Sequence, residues 1–291
     1  NRNVLAYQDN SWGQLWSYGA TAGNNSFTIH SQSPGSWRWN KDGTKKITTE
    51  AQILSSDWSA SGDLQYYSNG VLSGSHVETN LITDIGNDSR IILGARGNGG
   101  SEINFSNFYD GEIAEVIYYK DSLSPVEQQK VRSYLGVKYG LTLGESYLDS
   151  NAGVIWDAAA NTSYHNNVAG IGRDDASGLS QQKSTSSHPG AAVIIDKGAA
   201  FGSDGAFILW GHDAVSGTSA DNPVDFDARL NRVWKVAVTG TPGTVNFSID
   251  LTGLGLPTTL PVNDYALLID SDGTFDVGAT THTTGASLNN G

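Results

Sequence analysis

The feature that most limits what this chain can become is its rhythm. Short runs of alternating or apolar residues, each closed by a turn signal, recur from end to end. Residues 14–19, 26–30, 36–40, 63–68, 90–94 and 112–119 read this way, and so do 153–156, 191–195, 206–210, 232–238, 244–250 and 265–269. After Leu64-Gln65-Tyr66-Tyr67 comes Asn69-Gly70. Both residue types tolerate the positive φ of a tight primed turn, so a hairpin is expected there. In 112–119, Ile113, Glu115, Ile117 and Tyr119 alternate with Glu112, Ala114, Val116 and Tyr118. Both faces are largely apolar, which predicts a central strand of a sandwich.

One segment carries a full set of helix signals. Ser124-Pro125-Val126-Glu127 places a hydroxyl at the N-cap, proline at the first helical position and a carboxylate at the third, a capping box. Val131, Tyr134 and Leu135 follow at helical spacing, Lys138 sits in the last turn, and Gly140 supplies the stop. A helix over about 125–138 is predicted, with a change of composition after it. Residues 1–143 carry 11 basic and 14 acidic side chains, whereas 144–291 carry 6 and 16. Fifteen of those 16 acids are Asp and only Glu145 is Glu. The short carboxylate caps turns and also coordinates hard cations.

Composition excludes several function classes. A net charge of −13 repels polyanions, so neither nucleic acid nor an anionic lipid surface is an expected partner. No run approaches the about 20 apolar residues of a membrane span, and no charged-then-apolar leader opens the chain; a soluble protein without membrane insertion is expected. Starting at Asn1, it is expected to be a processed or excerpted piece of something longer. Gly at 35 of 291 and charged residues at only 16 % suit a turn-rich β protein. With no Cys, thiolate chemistry and disulfides are absent, as suits an extracellular bacterial protein that relies on size and β packing.

The run Tyr109-Asp110-Gly111-Glu112-Ile113-Ala114-Glu115-Val116-Ile117-Tyr118-Tyr119, with the capped helix and Tyr134-Leu135-Gly136-Val137-Lys138-Tyr139-Gly140-Leu141, resembles the C-terminal end of laminin-G-like jelly-roll domains. These belong to the concanavalin A-like lectin/glucanase superfamily. Tyr66-Tyr67-Ser68-Asn69-Gly70 matches the hairpin such domains carry before it. The second half is similar to a companion domain of large bacterial adhesins, through Val154-Ile155-Trp156-Asp157, Val168 to Asp175, Trp210-Gly211-His212-Asp213 and Arg232-Val233-Trp234. The resemblance implies an all-β chain of two β-sandwich domains, a laminin-G-like jelly roll at 1–143 and a companion sandwich at 144–291, joined through the helix. The first is expected to lack its first strands and the second its last, and strand donation by a neighbour would fill such edges.

Asp270, Asp272 and Asp276 surround Gly273 in an oxygen-rich loop able to wrap Ca²⁺, although the distal Glu of an EF-hand is missing and a plain Asx-type turn is the favoured reading. Asp174 and Asp175 beside Arg173 read as a loop clamp in preference to a metal shell. Gly170-Ile171-Gly172 lacks the rest of a dinucleotide fingerprint. Glu112 and Glu115 raise a glycosidase reading, but residues three apart on a strand point to opposite faces. The six His form no metal-ligand spacing, and no Gly-x-Ser-x-Gly elbow exists. Trp37 and Trp39 share a strand face with Arg38 between them, and Trp12 lies nearby in sequence. Each is a candidate platform for a sugar ring, against the competing role of core packing. Trp156, Trp210 and Trp234 read as core.

The expected function is therefore a non-catalytic extracellular module of a bacterial cell-surface protein. It would bind glycan or a cell-surface protein, or act as a spacer beside neighbouring modules, with Ca²⁺ as the one implied cofactor. Two alternatives stand beside it: an ancillary or catalytic part of a polysaccharide-processing enzyme, and a strand-complemented filament subunit.

Overall fold

The computed structural model describes residues 2–9, 13–20, 26–33, 36–46, 50–58, 63–77, 90–98, 104–106, 108–109, 111–219, 226–271, 273, 275 and 280–282. These residues form antiparallel sheets and one α-helix, an all-β chain in class. Two compact units divide it, 1–128 and 129–291.

The first unit opens with β1 (Arg2–Asp9), β2 (Gly13–Ala20), β3 (Ser26–Ser33) and β4 (Ser36–Lys46), successive antiparallel neighbours. Next come β5 (Leu54–Trp58), β6 (Asp63–Ser68), β7 (Val71–Val77), β8 (Arg90–Leu93), β9 (Arg96–Asn98) and β10 (Asn104–Ser106). One sheet runs β4-β3-β2-β1-β8, a second runs β5-β6-β7, and β9 pairs β10. Asn69 and Gly70 join β6 to β7 at φ 47° and 80°, the positive pair a primed turn requires. The Asn69 side chain also accepts a hydrogen bond from the Ile53 amide at 2.7 Å, fixing the turn against the approach to β5.

The central strand expected at 112–119 is not formed. The segment is irregular, no described strand pairs with it, and Ile113, Val116, Ile117, Tyr118 and Tyr119 are exposed. Its alternation is that of a strand, but a strand apolar on both faces needs covered neighbours on both, which the sequence run cannot supply by itself.

The helix α1 (Pro125–Tyr139) carries the expected cap. The Ser124 amide donates to Glu127 Oε2 at 2.8 Å while Ser124 Oγ faces the Glu127 amide at 3.4 Å. Gly140, at φ 62°, ends it. Most of the helix belongs with the second unit. Gln129, Lys130 and Ser133 each bond into 146–150, by Gln129 Nε2 to the Ser146 carbonyl, Lys130 Nζ to the Ser150 carbonyl and the Leu148 amide to Ser133 Oγ.

The second unit then lays down β11 (Tyr147–Leu148), β12 (Val154–Trp156), β13 (Asn166–Asp174), β14 (Leu179–Gln181), β15 (Lys183–Ser184), β16 (Val193–Asp196) and β17 (Ala206–His212). After these come β18 (Thr218–Ser219), β19 (Arg229–Leu230), β20 (Trp234–Thr239), β21 (Asn246–Ile249), β22 (Leu267–Ile269) and β23 (Thr280–His282). A sheet β14-β13-β17-β20 and a sheet β15-β16-β21 share one core. Ala169 and Ile171 of β13, Ile208 and Trp210 of β17, and Val193 and Ile195 of β16 meet there, with Trp234, Phe247 and Ile249 packed against them. Trp156 and Trp210 are fully buried, and Trp234 is half-buried, which is the core role read from the sequence.

The glycine pair in β13 has a packing reason. A Cβ on Gly172 would run into the Phe207 ring, and one on Gly170 would lie 2.8 Å from Leu209. The two glycines leave room for the large side chains of β17 to cross over β13 on the face opposite the shared core.

Candidate functional site

Several of the aspartates that bias the second unit sit at its turns with their carboxylates engaged by backbone amides. Asp149 Oδ1 accepts from the amides of Asn151 and Gly153, and Asp157 Oδ1 from those of Ala159 and Ala160. Asp213 Oδ1 accepts from the Val215 and Val233 amides, tying together two loops twenty residues apart. Asp196 holds the Gly198 amide at 2.7 Å and Asp250 the Gly253 amide at 3.0 Å. A short carboxylate close to its own backbone satisfies donors that a turn leaves orphaned, which explains why Asp and not Glu is used.

Around the β13 to β14 turn these anchors form a cluster. The Arg173 guanidinium grips Asp175 through both carboxylate oxygens, at 2.7 and 2.8 Å, and also donates to the Phe201 carbonyl. The Asp175 amide donates to Asp204 Oδ1, which also receives the Gly205 amide. The Arg173 hydrogen bond, with its positive charge, holds the Asp175 carboxyl below the ordinary carboxylate range. This is the clamp expected from sequence. Asp204, 29 residues away in sequence, carries no local signal of such a role. The buried Asp174 takes a different path, accepting the Ser150 amide at 2.8 Å.

Under the helix lies a second clamp. Arg132 Nε and Nη2 reach Glu145 at 2.5 and 3.0 Å, with the Arg side chain 6 % exposed. The single Glu of the second half is thus the one acid required to reach a guanidinium on the helix. Beside it the buried Tyr147 hydroxyl donates to the Leu141 carbonyl and accepts the Leu143 amide, and burial pushes its pKa up. Trp156 Nε1 donates to His165 Nδ1 at 2.9 Å, leaving His165 Nε2 to donate to the Leu143 carbonyl. His188 Nε2 accepts the Thr142 amide. Chemically, these arrangements orient loops and backbone.

The sequence candidates fall as follows. Asp270 Oδ1 accepts the amide of Gly273, three residues on, at 2.7 Å; Asp272 and Asp276 lie outside the described residues. Among the described residues no three His, Asp or Glu side chains converge as a metal cluster. Trp12 also lies outside the described residues. Trp37 and Trp39 occupy β4, paired with Gln32 and His30 of β3, and among the described residues β4 is the last strand of its sheet. Glu112 is exposed on the irregular segment. No helix among the described residues is long and apolar enough to cross a membrane.

A family model described as a domain of unknown function, DUF8202, matches residues 127–291. No curated protein and no solved structure matches the chain. The matched span begins in the first turn of α1 and takes in the whole second unit, more than half of the residues. The chain therefore belongs to the DUF8202 family.

Proposed function

We propose that this chain is a non-catalytic binding or spacer module of a bacterial cell-surface protein. It would work outside the cell, with a laminin-G-like jelly roll over 1–143 and a companion β-sandwich over 144–291. The observation that carries the reading is the employment of the charged side chains in the second unit. Asp149, Asp157, Asp196, Asp213 and Asp250 pin turns, and Arg132 and Arg173 are each held by a carboxylate in a two-pronged grip. Charged groups spent in this way stiffen loops, and stiff loops on a β scaffold suit recognition or spacing.

Recognition is assigned to the first unit, where Trp12, Trp37 and Trp39 would present aromatic surface to a pyranose ring or to a cell-surface protein. Glycan-array binding by the full chain, reduced at least tenfold by Trp37→Ala or Trp39→Ala at unchanged melting temperature, would support a lectin role. Absence of binding to any glycan or cell surface would leave the spacer role. A Ca²⁺ ion held by Asp270, Asp272 and Asp276 is a separable part of the proposal. A cation bound by the folded state alone raises Tm by mass action, so an unchanged Tm on adding chelator would remove it.

A further inference from the structure

The sheet β14-β13-β17-β20 ends at β20, and no described strand pairs with its outer edge. Directly opposed residues of an antiparallel pair share a face. Val236 lies opposite Trp210 and Val238 opposite Ile208, so both valines sit on the face that carries the core. Yet Val236 is 47 % and Val238 60 % exposed, while Trp210 and Ile208 are buried. The core face of the sheet thus runs on past its own cover. The pairing of β20 with β17 has no register shift, and Trp234-Lys235-Val236-Ala237-Val238-Thr239 contains no proline. Of the usual protections of an edge strand it keeps one lysine.

We propose that β20 pairs antiparallel with β20 of a second copy of this chain, joining two four-stranded sheets across a two-fold axis. A self-complementary register centres on Val236 and brings Trp234 into the pairing. With Val236 facing the second copy's Val236, Trp234 faces the second copy's Val238 and Lys235 faces the second copy's Ala237. All core-side residues then meet core-side residues, the exposed valines are covered by valine and tryptophan, and the lone charge opposes a methyl group instead of a second lysine. A shift of one residue would set core-side valine against outward-facing alanine, which the pleat forbids for two sheets with cores on the same side.

The absence of cysteine makes the test clean. Opposed residues in antiparallel strands lie about 4.5 to 5.5 Å apart at Cα, within the range a disulfide spans. In the full chain, Val236→Cys is expected to oxidise to a covalent dimer, whereas Val154→Cys, on β12 and 57 % exposed, stays monomeric under the same conditions. The unmodified chain is expected to show twice its 30.8 kDa mass at high concentration in sedimentation or light scattering. Val238→Lys should return it to monomer with its circular dichroism retained. A monomeric mass at every concentration would overturn the proposal, including the case in which the edge accepts a strand from a different protein. So would cross-linking of Val236→Cys no greater than that of Val154→Cys, a result that does not depend on whether the lysine variant folds. Glycan binding by the first unit is read separately, so failure of one proposal leaves the other standing.

Discussion

Two arginines of the second unit hold carboxylates in the same two-pronged grip, and burial makes them unequal. Arg132 and Glu145 are 6 % and 20 % exposed, beneath α1; Arg173 and Asp175 are 35 % and 54 % exposed, at the β13 turn. At the turn, water competes for both partners and screens them, so the clamp chooses a loop conformation more than it stabilises the fold. Beneath the helix, either partner left alone would be a charge out of water. The same chemistry therefore acts as structure in one place and as loop tailoring in the other.

The largest effect should come from separating the buried pair. Glu145→Ala strands the Arg132 guanidinium and is expected to destabilise the second unit by about 3 to 5 kcal/mol in chemical denaturation. Asp175→Ala should move the midpoint far less, because solvent screens the exposed pair. Equal losses would break the comparison. Replacing both buried partners, Arg132→Met with Glu145→Leu, should restore stability to within about 1 kcal/mol of the parent, because no charge is then stranded. A double variant as weak as Glu145→Ala would mean that the pair contributes through something other than paired burial. A neutral neighbour gives an intermediate case. Tyr147→Phe keeps the packing but deprives the Leu141 carbonyl and the Leu143 amide of their partner, at a cost of about 1 to 3 kcal/mol by the same assay.

Legibility in the sequence followed the distance between partners. Ser124 and Glu127 are three residues apart, Asn69 and Gly70 adjacent, Arg173 and Asp175 two apart. Each of these local devices could be read from spacing because the chemistry is complete within a few residues. Arg132 and Glu145, thirteen apart and on different elements, could not be paired in advance. Gly172 was legible as unusual but not as packing, since its reason is the Phe207 ring of another strand. The segment 112–119 shows the converse: its alternation is local, but sheet membership depends on neighbours the run does not encode. Among the site candidates, Asp270 accepts the Gly273 amide within its own loop, a local bond of the kind spacing can suggest. Its cation role, and the roles of Trp37 and Trp39, depend on surroundings no spacing can report.

The smallest expected effect separates buried from exposed polar groups by pH alone. His212 is buried on β17, its Nδ1 accepting the Ala214 amide and its ring edge-on to Trp234, with Lys235 and Gly211 paired beside it. Burial lowers its pKa below the ordinary 6.5, Arg232 lowers it further, and Asp213 opposes them. The unfolded chain therefore takes up a proton here at higher pH than the folded one. Stability is full above about 6.5 and falls as pH drops through that value toward the folded-state pKa. Asp175 is displaced in the same direction but from 3.8, so its contribution is constant between pH 7 and 5 and is lost only in stronger acid. Acidifying from pH 7 to 5 should lower Tm in the parent and equally in Asp175→Ala. In His212→Asn, whose amide oxygen can still receive the Ala214 amide, the fall should be smaller. An identical fall in His212→Asn would assign the acid sensitivity elsewhere.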